Sequence, residues 1–212
     1  MHLNRLPHAW IVSLALLAVG LSPQAARAQS FAALISPPRF ELDVKPGETT
    51  RQVFEIDHTG STAGRYRVYT ADWTFGTDSS VRFYEALQPD SCRPWVAIER
   101  REVTIAPKNK LRFRFEITPP AGTPPGECRF AIMVEGQEQS VETRGSVTFP
   151  VSGRIGVIVY ARIGDAAPKL TIAQAKLTQV DGHLVPTLLI HNTGNAHGRV
   201  SGFLGGTDAA GK

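Results

Sequence analysis

Leu111-Arg112-Phe113-Arg114-Phe115-Glu116-Ile117 alternates apolar and charged side chains until Pro119-Pro120 interrupts it. A period of two puts the apolar residues on one face and the charges on the other, as in a β-strand with one dry and one wet side. Arg39-Phe40-Glu41-Leu42-Asp43-Val44 repeats the pattern and stops at Lys45-Pro46-Gly47, where proline fixes φ and glycine permits positive φ. In Cys128-Arg129-Phe130-Ala131-Ile132-Met133-Val134 the same alternation places Cys128 on the inward face. Further strands are expected over Thr50 to Ile56, Arg65 to Trp73, Val81 to Tyr84, Trp95 to Ile98, and a long one from Ser146 to Tyr160. No stretch of a dozen residues shows helical spacing, so the fold is predicted to be all-β, with seven or eight strands in a two-sheet sandwich.

The chain has 212 residues, 42% of them hydrophobic and 20% charged, which excludes wholesale disorder, collagen and coiled coil. Its first 28 residues read as a cleaved export leader: Arg5, an apolar run from Ala9 to Leu21, then Ala26-Arg27-Ala28 before Gln29. The alternative is a membrane anchor, but spanning takes roughly 20 apolar residues, and Pro23, Gln24 and Arg27 intervene. No later segment is long and apolar enough to span. The net charge is +4, and two of those charges, Arg5 and Arg27, lie in the leader, which leaves too little to argue for nucleic acid. The expected mature protein is exported and soluble, with a bacterial-type periplasm as its compartment.

Export makes the cysteines readable, because an oxidising compartment favours a disulfide between Cys92 and Cys128. Two buried free thiols are the alternative. Closing that loop contributes about 4 kcal/mol on the chain-entropy model. The spacing excludes a CxxC redox pair and a cysteine zinc site.

After Ala166-Ala167-Pro168 a new set of strands is expected: Lys169 to Val180, a turn at Asp181-Gly182, Leu184 to His191, and Arg199 to Leu204. An internal repeat accompanies it. Ile56-Asp57-His58-Thr59-Gly60 with Gly64-Arg65 matches Ile190-His191-Asn192-Thr193-Gly194 with Gly198-Arg199 at an offset of 134 residues. The sequence divides into a first domain over 29–165 and the start of a second over 166–212. The second piece is too short for a sandwich of about 100 residues and seven strands, so it is either truncated or an appendage of the first.

Local signatures of catalysis are missing: there is no GxSxG, HExxH or phosphate loop. His183, His191 and His197 fit no standard metal set and read as surface turn residues. Trp73, beside Asp72, reads as core. Gly202, Gly205 and Gly206 precede no helix and offer no anion cradle. No enzyme activity, cofactor or metal is expected. The distinctive feature is the strand from Ser146, which a polar loop, Gly136 to Arg144, delivers. Val147, Phe149 and Val151 share one face there, and they either line an edge open to strand addition or face their own core.

The chain resembles the periplasmic pilus-assembly chaperones, the PapD-like family of the chaperone-usher pathway. Ser36-Pro37-Pro38-Arg39-Phe40-Glu41-Leu42 with Pro46-Gly47 resembles the family's first strand. Trp95 with Ile105-Ala106-Pro107 resembles its middle, and Arg154-Ile155-Gly156-Val157-Ile158-Val159-Tyr160 its last strand. The resemblance implies two immunoglobulin-like domains and a non-enzymatic chaperone that caps pilus subunits by strand donation, with a pilin and an outer-membrane usher as partners. It implies that Val147, Phe149 and Val151 fill the subunit's groove and that Arg39 binds its terminal carboxylate. The family's cleft lysine falls on Gly156, and Arg154 would take its place. A structural or adhesive immunoglobulin-like module, binding through loops such as Gly76 to Ser80, is the alternative.

Overall fold

The computed structural model describes residues 31–138, 140–203, 205–207 and 211, the side chains of 140–144 excepted. The expected leader over 1–28 lies outside the described residues, as do Leu204 and most of the final turn. Among the described residues fourteen strands run in chain order: β1 Ala33–Ser36, β2 Arg39–Val44, β3 Thr50–His58, β4 Gly64–Phe75, β5 Val81–Tyr84, β6 Val96–Ile98 and β7 Glu102–Ile105. They continue with β8 Lys110–Ile117, β9 Gly126–Gly136, β10 Ser140–Arg144, β11 Val147–Val151, β12 Arg154–Ile163, β13 Leu170–Val180 and β14 His183–Asn192.

Two sheets form the sandwich. One has the order β1-β3-β8-β6; the other has β2-β12-β9-β4-β5, with β7 also on β4. The alternation in the sequence decides what fills the space between them. Phe54 and Ile56 from β3 and Phe113, Phe115 and Ile117 from β8 meet Val68, Phe130, Ile132, Val157 and Val159 from the other sheet, each at most 1% exposed. Arg112 and Glu116, offset by one residue, keep to the wet face. The disulfide joins Cys92, just ahead of the short 3-10 turn Arg93–Trp95, to Cys128 on β9, and so ties the approach to β6 to the opposite sheet.

The second sheet buries apolar residues on its outer side too. Trp73 and Met133, 7% and 1% exposed, pack there with Ala71 and Ala131 under Phe83, Tyr69, Ile158 and Tyr160. Trp73 is therefore buried, as its sequence suggested, but outside the sandwich core. Neighbouring Asp72 is held from the loop after β5: it accepts hydrogen bonds from the Gln88 amide (3.0 Å), the Ser91 hydroxyl (2.7 Å) and the Arg93 guanidinium (3.2 Å).

Three expectations are corrected. The strand expected from Ser146 to Tyr160 is two strands: β11 ends at Val151, and after Ser152-Gly153 the chain restarts as β12 in a different sheet. Part of the polar loop Gly136 to Arg144 is itself a strand, β10, which pairs with β11 in a two-stranded sheet. Their two-residue turn has Gly145 at φ 63°, the first-position glycine a tight hairpin requires. The third is the expected strand from Arg199, where residues 199–203 form none.

β13 and β14 form a hairpin across Asp181-Gly182, both at positive φ as the Asp-Gly turn demands. Its start reproduces the β1–β3 pairing. Thr59 donates its amide to the Ala32 carbonyl at 2.8 Å, and Thr193, 134 positions later, donates to Lys169 at 3.0 Å. Its apolar face, with Ile172 62% and Leu184 70% exposed, contrasts with the buried Ile56 of β3.

Candidate functional site

The β10–β11 hairpin and the margin of the second sheet hold the residues singled out in the sequence. In a two-stranded sheet both strands are edges. Val147 is 61% exposed, Phe149 and Val151 are half-buried, and none of the three belongs to the sandwich core. They do not face the sandwich core.

Arg39 opens β2, which lies parallel to β12 with Arg39 opposite Ile158. Its guanidinium stacks on Tyr160 at 4.2 Å, pairs with Glu41 at 2.6 Å and donates to Nε2 of His197 at 2.9 Å. Burial pushes the Glu41 carboxyl up, but the hydrogen bond and charge of Arg39, with His197 and Arg199 beyond, hold it below the usual carboxylate range. Arg154 lies elsewhere. It stands opposite Glu135 at the start of β12, four residues before Ile158, which at ~3.3 Å per residue is about 13 Å along the strand from the rung of Arg39. Its guanidinium approaches the Tyr69 hydroxyl, which has no hydrogen-bond partner of good geometry; burial pushes the Tyr69 phenol up. The two arginines form no joint clamp.

Gly156, between them, explains why no cation stands there. A Cβ on it would lie 3.0 Å from the Phe83 ring and 3.1 Å from the sulfur of Met133. The place a side chain would take is filled from β5 and β9. Gly156→Lys is expected to destabilise the protein by about 1–3 kcal/mol, the usual cost of overpacking, read as a lowered urea midpoint; an unchanged midpoint would show that Phe83 yields freely.

No protein-family model and no curated protein matches the chain. Solved structures to which the chain is similar include the class 5 fimbriae chaperone CfaA, with a TM-score of 0.48 and 12% identity over 77% of this chain and 67% of that one. The CsuC-CsuE chaperone-tip adhesion subunit complex of Acinetobacter baumannii gives 0.42 and 14%, over 77% of each chain. A PapD-like domain of human CEP192 gives 0.40 and 12%, over 79% of this chain and 99% of that one.

Among the described residues no group of three or more His, Cys, Asp or Glu could hold a metal ion, and no helix is long and apolar enough to cross a membrane. His183 and His191 sit exposed on β14, eight residues apart. His197 is not the surface turn residue expected. Its side chain is 23% exposed and its ring stacks on Tyr160 at 3.9 Å. Its Nδ1 bonds Glu127 of β9, and its backbone amide donates to the same carboxylate at 3.0 Å. Sequence reading missed the set Glu41, Glu127, Tyr160 and His197 around Arg39. His197 and Arg39 are 158 residues apart, and no local pattern signals such a contact.

Proposed function

We propose that this chain is a periplasmic chaperone that holds incomplete pilus subunits by lending them an edge strand, and that an outer-membrane usher receives the loaded complex. One observation carries the reading: β11 is an edge strand outside both sandwich sheets, with Val147 exposed and Phe149 and Val151 outside the core. Strand addition uses such an edge, with backbone hydrogen bonds for affinity and alternate side chains for pockets. Exported context and the resemblance of the flanking strands point the same way. The β13–β14 hairpin is then the start of a second immunoglobulin-like unit.

Arg39 is the anchor for the subunit's terminal carboxylate, since guanidinium binds carboxylate in a bidentate fork. Glu41 already takes its Nε edge and His197 one of its NH2 donors, so a second carboxylate must compete with one of them. Arg154, a strand-length away and beside the end of β11, contacts the bound segment at a separate point. An adhesive module acting through its loops has one observation in its favour: Phe75 and Val81, 62% and 44% exposed, flank the loop Gly76 to Ser80.

Photo-crosslinking separates the two. A crosslinking residue at Val147 is expected to capture a co-expressed pilin that lacks one strand, and the same residue at Phe75 is expected to capture none. Capture from Phe75 alone would overturn strand lending in favour of the loop.

A further inference from the structure

The cluster around His197 has a defined protonation logic. Arginine only donates hydrogen bonds, so the 2.9 Å contact from Arg39 requires Nε2 of His197 to be an unprotonated acceptor. The proton of the neutral ring is then on Nδ1, donated to Glu127, whose carboxylate also accepts the His197 amide. This is a strained choice for any second proton. Protonation of Nε2 would set two donors face to face. The nearest acceptor for it is the Glu41 carboxylate, 3.9 Å away and now shared with Arg39.

We propose that His197 is a positioning residue that controls Arg39 by its proton: neutral, it clamps Arg39 on the sheet, and protonated, it turns to Glu41 and sets Arg39 free for a carboxylate ligand. This rests on the reading of Arg39 as carboxylate anchor. The groups facing the ring are Arg39 and Glu41 from β2, Glu127 from β9 and Tyr160 from β12, with Arg199 near Glu41 on its own segment. Arg129 lies 3.9 Å from Glu127, and Arg162, opposite Glu127 in the ladder, is engaged by Asp43 at 2.8 Å. Glu127 therefore remains the fixed hinge of the ring while Arg39 and Glu41 exchange. Lowering the pH frees the anchor; raising it restores the clamp.

Nitrogen-15 NMR of the whole protein tests the switch without any ligand. At about pH 8 the His197 ring is expected in the Nδ1–H form, the less common tautomer of free histidine, and the Arg39 side-chain signals are expected to shift together with His197 as the pH falls to about 5. In His197→Gln, neutral throughout, the Arg39 signals stay flat, and in His197→Ala they take the released position at every pH. An Nε2–H ring, or Arg39 signals that ignore the titration, would overturn the switch. Binding of a strand-deleted pilin should be roughly tenfold tighter at the lower pH, the size of one charge-assisted hydrogen bond, and pH-independent in His197→Gln. A protein whose Arg39 follows His197 but which binds no pilin at either pH would refute the chaperone reading alone; pilin binding equally pH-dependent in His197→Gln would refute the switch alone.

Discussion

Replacing Val147, Phe149 and Val151 together with serine is expected to abolish retention of a strand-deleted pilin while leaving the fold intact. Full burial of such side chains contributes about 1.5–3 kcal/mol each, so the three supply roughly 5–9 kcal/mol before ordering costs. Their loss should weaken binding at least ~1,000-fold, about 4 kcal/mol. The fold should tolerate the change because none of the three is part of the sandwich core, and surface substitutions usually stay within about 0.5 kcal/mol. Co-purification measures the first effect and thermal melting the second. A triple variant that melts normally and still retains the pilin would remove β11 from the mechanism.

The second large effect concerns stability. Asp72→Ala removes the acceptor for Gln88, Ser91 and Arg93 at once and leaves the Arg93 guanidinium, whose side chain is 13% exposed, without its counter-charge. Breaking a buried pair from one side costs about 3–5 kcal/mol, which for a domain of this size lowers the melting temperature by roughly 6–20 °C. Asp72→Asn, which keeps an acceptor oxygen for Ser91, should lose less. The loop after β5, tied down by these bonds, should become the first site of proteolysis. A melting temperature within about 2 °C of the parent protein would mean that the Tyr84 and Glu85 carbonyls and the Thr70 hydroxyl, which also accept from Arg93, hold it without Asp72.

The sandwich was legible because its strands obey a local rule. Phe113 and Phe115 alternate with Arg112 and Arg114, and that alternation alone names the buried face. The division at Ser152-Gly153 was not legible in the same way. Apolar residues continue on both sides of it, and what changes is the neighbour, β10 before and β9 after. β10 was hidden because four of its five residues are polar and its strand character comes from pairing with β11. At the candidate site, the shared face of Val147, Phe149 and Val151 on β11 was read from spacing, whereas the separation of Arg39 from Arg154 follows from the rung at which β2 docks on β12. The phenyl ring that fills the space over Gly156 comes from β5, remote in sequence.

The parallel pairing of β2 with β12 sets an order of events for the newborn polypeptide. Asp43 and Arg162, bonded across that seam, are 119 residues apart, so as the chain emerges amino end first β2 must wait for nearly the whole sandwich before its neighbour exists. Closure of so distant a pair is slow. Until then, Phe40, Leu42 and Val44 are an unguarded flank of the nascent molecule, open to capture by a foreign strand.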